Sequence, residues 1–100
     1  MVVTFIKMKV RPEKRKELSQ TLHSIVGQVR KEKGCVHSGF YQDVESENDF
    51  LVVGEWATQE DLDDHLRSDI FTVLLGAGIL MVRPPEIVIH TALRSTELEG

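Results

Sequence analysis

Trp56 is the only tryptophan of the chain, and His65 follows it nine positions later. The stretch from Glu55 to Leu66 reads as the end of a strand, a helix cap and a helix carrying the histidine. An indole offers a flat apolar face and one N–H donor. An imidazole ordinarily changes charge near neutrality, so it can take up a proton. Side by side, the two suit a pocket for a flat aromatic molecule whose hydroxyl is bound or deprotonated. Each also fits a plainer role: Trp56 as a large core residue and His65 as a packed, hydrogen-bonded one. Tyr41 is either a donor to a phenolate or a partly exposed sheet residue. His37 shares its strand face. His90 reads as structural or interfacial, and His23 as solvated. No metal-ligand spacing, glycine-rich phosphate loop or nucleophile motif stands out.

Six elements must position these groups. Val2 to Val10 is β-branched and apolar and predicts a first strand. The adjacent apolar pair Phe5-Ile6 breaks its alternation, which predicts a bulge or cover on both faces. Pro12 suits a helix start. Leu18, Leu22, Ile25 and Val29 then form one apolar stripe, and Gly34 supplies a left-handed stop, so the first helix is expected over Pro12 to Lys33. Cys35 to Asp43 predicts a second strand, with Val36 and Phe40 on one face and Tyr41 on the other. A polar turn, Glu45 to Asp49, leads to a third strand, Phe50 to Trp56. There Phe50, Val52, Gly54 and Trp56 share one face, opposite Leu51, Val53 and Glu55.

Thr58 and Asp61 have the spacing of a capping pair, and Leu62, His65 and Leu66 fall on one helical face. Ser68-Asp69 predicts a second cap and therefore two short helices. Phe71, Leu74 and Leu75 form the buried side of the second, which ends at Gly76 and Gly78. A last strand region is expected at Ile79 to Val82 and Glu86 to Leu93, split by Arg83-Pro84-Pro85.

The order β-α-β-β-α-β predicts an α+β, ferredoxin-like domain: a four-stranded antiparallel sheet with its helices on one face. The domain is expected over residues 1–94, with a flexible tail over 95–100. The other face carries Leu51 and Val53 and has no helix left to cover it. An apolar sheet face of that size predicts a homodimer packed sheet to sheet. Glu55 lies on that face, with Arg83 as a guessed partner across the dimer.

Composition narrows the function classes. A net charge of −4, with basic residues interspersed among acids, leaves no positive stripe for nucleic acid. The nearly uncharged run from Ile70 to Val82 is shorter than the roughly 20 residues of a membrane span. A lone cysteine, Cys35, and the absence of a secretory-type leader predict a reducing, cytoplasmic setting. Cys35 itself reads as a small buried hydrophobe.

Lys31-Glu32-Lys33-Gly34-Cys35, Glu55-Trp56, Thr58 to Leu66 and Ser68-Asp69-Ile70-Phe71, taken with the element order, resemble the antibiotic biosynthesis monooxygenase (ABM) domain family of the dimeric α+β barrel group. The resemblance is to its quinol monooxygenase-like members and covers about Val3 to Leu93. It implies oxidation of quinols or other polyphenols by O₂ without metal, flavin or haem. The catalytic pair would be Trp56, stacking on substrate, and His65, orienting or deprotonating its hydroxyl. Tyr41, Val52, Leu62, Leu66, Phe71 and Leu74 would bind the substrate. The chain departs from members that oxidise anthrone-like substrates. Their asparagine, tyrosine and arginine fall here at Val52, Leu62 and about Gly76. The iron-binding histidine of the haem-degrading branch falls at about Leu75. Two further functions fit the same scaffold: a non-oxidative isomerase or small-molecule-degrading enzyme, and a non-catalytic dimer that binds an aromatic ligand.

Overall fold

The computed structural model describes residues 1–92 and 95–98. Strands β1 (Val2–Lys9), β2 (Cys35–Gln42), β3 (Asp49–Trp56) and β4 (Glu86–Thr91) form one antiparallel sheet in the order β2-β3-β1-β4. Helices α1 (Arg15–Val29), α2 (Gln59–Leu66) and α3 (Asp69–Gly76) occupy one side. This is the expected α+β, ferredoxin-like arrangement. The α1 stripe Leu18, Leu22, Ile25 and Val29 is buried, as is Val26 beside it, and the stripe meets the sheet residues Ile6, Met8, Phe50, Val52 and Trp56 in one core. Residues 95–98 are exposed and have no regular secondary structure. Leu93, the expected end of the last strand, lies outside the described residues.

Strand register decides which face each residue takes. Across the helix-covered face run the rows Thr91–Val2–Trp56–Cys35, Ile89–Thr4–Gly54–Ser38 and Ile87–Ile6–Val52–Phe40. The open face carries His90–Val3–Glu55–His37, Val88–Phe5–Val53–Gly39 and Glu86–Lys7–Leu51–Tyr41. Leu51 and Val53 thus lie on the side without helices, as their alternation predicts.

Several local expectations are corrected. There is no bulge at Phe5-Ile6: β1 pairs with β3 in unbroken register, and Phe5 is half-buried on the open face. The bulge is in β2 instead, between Cys35 and His37. It leaves Val36 outside the pairing and 61% exposed rather than on the face of Phe40.

Helix α1 is shorter than its pattern predicts. Pro12–Lys14 forms a separate 3₁₀ turn. At the other end, Lys31 and Glu32 donate their N–H groups to Gln28 and Val29, three residues back, so the chain tightens before Gly34. Gly34 adopts φ +79°, the expected left-handed exit.

Ile79 to Val82 is not a strand. Ala77–Leu80 forms a 3₁₀ turn whose Ala77 and Leu80 enter the core; after it Met81 bridges Val10 and the Val82 N–H donates to the Lys9 carbonyl at 2.8 Å. Beyond it, β4 begins after Pro84-Pro85, which cannot donate to a ladder.

Candidate active site

Trp56 closes β3 on its helix-covered face and is 1% exposed. The chain turns at once into α2. Thr58 is its cap, accepting the Asp61 N–H at 3.1 Å while its hydroxyl donates to the Asp61 carboxylate at 2.9 Å. The expected capping pair therefore forms, with the carboxylate taking the Thr58 hydroxyl. One turn later His65 faces the sheet beside Leu62, and both are buried. Ser68 caps α3 through the Phe71 N–H at 3.3 Å and donates its own hydroxyl to the His65 carbonyl at 2.6 Å.

Three of the expected site residues come together as rings. The His65 imidazole stacks on the Trp56 indole, with centroids 4.5 Å apart and planes 25° apart. Phe71 meets the imidazole edge to face at 5.4 Å. Indole and imidazole are in direct contact, so no molecule lies between them. Leu62 and Leu74 are buried in the same core cluster, Val52 lies on the same sheet face, and Leu66 packs partly against the cluster. Tyr41 does not join them. It is 51% exposed on the open face, where its hydroxyl lies 3.1 Å from His37 Nε2. The sheet separates it from Trp56.

Two groups beside the rings were not singled out as site residues. Glu32, in the turn after α1, places Oε2 2.7 Å from His65 Nδ1. Its side chain is 25% exposed, against 9% for His65. In sequence Glu32 stands only within the Lys31–Cys35 segment that carries the family resemblance, with no role of its own. The second is Gly54, next to Trp56 on the same face. A Cβ there would lie 2.7 Å from Thr4 Oγ1 and 2.9 Å from Trp56 Nε1. The indole edge therefore lies low over bare backbone. Trp56 Nε1 is buried and has no hydrogen-bond partner among the described residues. Thr4, the neighbour across the ladder, is buried too and makes only a long 3.5 Å bond to the Gly54 carbonyl.

Cys35 pairs with Trp56 in the ladder. Burial, and then the nearby Glu32 carboxylate, push its thiol above the ordinary range. Elsewhere, a cavity of about 510 Å³ opens on the other sheet face among Lys7, Tyr41, Leu51, Arg83 and Glu86. At its rim, a hydrogen bond with the Ser46 side chain and the Lys9 ammonium 3.4 Å away hold the Asp49 carboxyl below its usual range. A second cavity of similar size lies between the start of α1 and Phe40. Neither is lined by Trp56 or His65, and neither holds an unpaired buried donor. Among the described residues no three His, Cys, Asp or Glu side chains gather to hold a metal ion, and no helix is long and apolar enough to cross a membrane.

The chain is 30% identical over 84 residues to the uncharacterized protein sll1783 of Synechocystis sp., covering 83% of this chain. It spans only 57% of that relative's length. It is 28% identical to a Bacillus subtilis protein provisionally named monooxygenase YcnE, covering 93% of this chain and 98% of that one. A crystal structure from Deinococcus radiodurans, provisionally described as an antibiotic biosynthesis monooxygenase, superposes over 100% of both chains with a TM-score of 0.91 at 22% identity, a likeness of fold. Residues 1–74 match the family model described as "Antibiotic biosynthesis monooxygenase". The matched range is nearly three-quarters of the sequence and spans the segment from Trp56 to His65, and the chain belongs to the ABM family.

Proposed function

We propose that this protein is a monooxygenase that oxidises a quinol or other polyphenolic aromatic with O₂, without a resident metal, flavin or haem. The single observation that carries the reading is the Trp56 N–H, a buried donor without a partner among the described residues, on the ring that His65 stacks against. A buried unpaired N–H costs about 1–3 kcal/mol, which a ligand oxygen would recover. A phenolate or quinone oxygen is such an acceptor. Its binding would add a fixed donor where negative charge develops. His65 is the adjoining group able to take the phenolic proton.

In the reaction, one oxygen atom of O₂ enters a ring carbon. The other leaves as water with two hydrogens from the substrate, so the substrate supplies both electrons. The stacked rings leave no slot between them, and the indole edge with Thr4 Oγ1 fills the space over Gly54, so the substrate would have to reach the Trp56 N–H by displacing Thr4 or the ring edge. The side from which it would approach is the β4 edge. Ile87 and Ile89 share the face of buried Ile6 and Thr4 yet remain 40% and 45% exposed, so the helical layer stops short of that edge. From Ile89 across Thr4 to Gly54 is two strand spacings, about 10 Å.

The open face supports the dimer part of the proposal. Half-buried Val3, Phe5, Leu51, Val53 and Val88 make an apolar centre, rimmed by His37, Glu55, Lys7, Glu86 and His90. An apolar centre within a polar rim is the anatomy of a protein interface. The occupant we propose is a second copy of the chain, which would set the same apolar centre against this one.

The stack itself favours a second reading, a non-catalytic dimer binding an aromatic ligand, because rings this well packed stabilise a core without turning anything over. Oxygen uptake separates the two. With reduced naphthoquinol or anthrone in air, uptake above autoxidation is expected in wild type. It should fall about 100-fold in folded His65→Ala and also fall in Trp56→Phe. Tight binding of a quinol panel without uptake supports the second reading and overturns the first. Product without O₂ consumption points to a non-oxidative enzyme.

A further inference from the structure

We infer that Glu32 is a positioning residue for His65: it sets which imidazole nitrogen carries the proton and where the other one points. The inference rests on His65 acting as the base proposed above, and it concerns a residue with no part in that proposal.

Stacking alone leaves this question open. The Trp56 face and the Phe71 edge hold the plane of the imidazole. A ring turned over within that plane, or protonated on the other nitrogen, would stack as well. Glu32 distinguishes these states. A carboxylate has only acceptors, so the hydrogen in the 2.7 Å contact belongs to Nδ1. In the neutral ring, Nε2 is then the free lone pair and the atom able to receive a phenolic proton. When it does, the phenol becomes a phenolate and His65 an imidazolium whose charge faces the Glu32 carboxylate. The contact is short, and both side chains are mostly removed from solvent, the setting in which a charge-assisted hydrogen bond is strong.

The turn that carries Glu32 is itself locked to the helix that carries His65. The Glu32 N–H donates to the Val29 carbonyl at 2.9 Å, and the Glu32 carbonyl accepts from Cys35 at 3.2 Å. Gly34, at φ +79°, has the Asp61 carboxylate where a Cβ would stand. Its carbonyl accepts the Ala57 N–H at 2.8 Å. Asp61 is bound to the Thr58 cap and lies one helical turn before His65, on the same face. The start of α2, the turn and the imidazole are therefore fixed to one another at Thr58–Asp61, Asp61–Gly34 and Glu32–His65. A solvated glutamate that only decorated the end of α1 would need none of these contacts.

The test reads the tautomer directly. Nitrogen NMR of ¹⁵N-histidine-labelled protein, at a pH where His65 is neutral, should give an Nδ1–H, Nε2-lone-pair ring in wild type. Glu32→Gln keeps an acceptor and should keep that tautomer, whereas Glu32→Leu should shift the ring toward Nε2–H. In oxygen uptake, kcat should fall about 10-fold or more in Glu32→Leu and less in Glu32→Gln, with KM changed far less. A wild-type His65 protonated on Nε2 overturns the inference outright, even if Glu32→Leu fails to fold. So does a folded Glu32→Leu that keeps the wild-type tautomer. If wild type shows the expected tautomer but consumes no O₂ with any quinol, the monooxygenase reading fails and the Glu32–His65 relationship stands.

Discussion

The Trp56 indole and the His65 imidazole stack face to face, 4.5 Å between centroids and 25° between planes, although one ends a strand and the other rides the next helix. The contact makes His65 part of the core as well as a candidate base. His65→Ala should therefore destabilise the fold by about 1–3 kcal/mol through the lost ring contacts and the space left behind. For a domain of this size each kcal/mol lowers Tm by about 4–8 °C. Thermal unfolding followed by circular dichroism reads the change. An unchanged Tm would mean that the stack contributes nothing to stability.

Gly54 should not tolerate a side chain. A Cβ would approach Thr4 Oγ1 at 2.7 Å and Trp56 Nε1 at 2.9 Å, so one of them must move. Gly54→Ala should cost about 1–3 kcal/mol and shift the emission of the only tryptophan. Adding Thr4→Ala should recover part of the loss by removing one obstacle. A Gly54→Ala protein with wild-type stability and emission would show that the indole does not lie over this glycine.

Cys35 should be a slow thiol. Burial and the Glu32 carboxylate both raise its pKa, so less thiolate is present at neutral pH than in a free cysteine. Alkylation by iodoacetamide should be slower than that of glutathione and should accelerate only at alkaline pH. Glu32→Gln removes one of the raising charges and should speed the reaction at a given pH. Neutral-pH reactivity equal to glutathione would contradict the assigned environment.

The open sheet face makes the oligomeric state testable. A dimer mass is expected by light scattering at micromolar concentration. Val53→Asp, at the centre of the half-buried patch, should give a folded monomer, because an unpaired charge would be buried at the interface. A monomeric wild-type protein would overturn the sheet-to-sheet dimer.

The element order, the helix stripe, the break at Ser68 and the left-handed exit at Gly34 were legible because each depends on near neighbours. A stripe needs only 3.6-residue periodicity, a cap only a side chain three residues away, and a left-handed turn only the missing Cβ. The face assigned to Leu51 and Val53 follows from strand alternation in the same way. Failures appeared where two local codes competed. Ile79 to Val82 is apolar enough for a strand, but Ala77 and Leu80 turn into the core and take Ile79 into a 3₁₀ turn that leaves it exposed. The bulge at Val36 then changed the parity of β2, and a slip of one residue exchanges faces.

Sequence alone determined the family pattern, the ferredoxin-like order and the presence of an indole and an imidazole on adjoining elements. Tertiary structure alone decided that the two rings touch instead of bounding a slot, that Tyr41 stands behind the sheet, and that Glu32 holds the imidazole from 33 residues away. These are distances between elements. They are set by strand register, by the way a turn seats on a helix and by the bare backbone at Gly34 and Gly54. No periodicity within one segment encodes them.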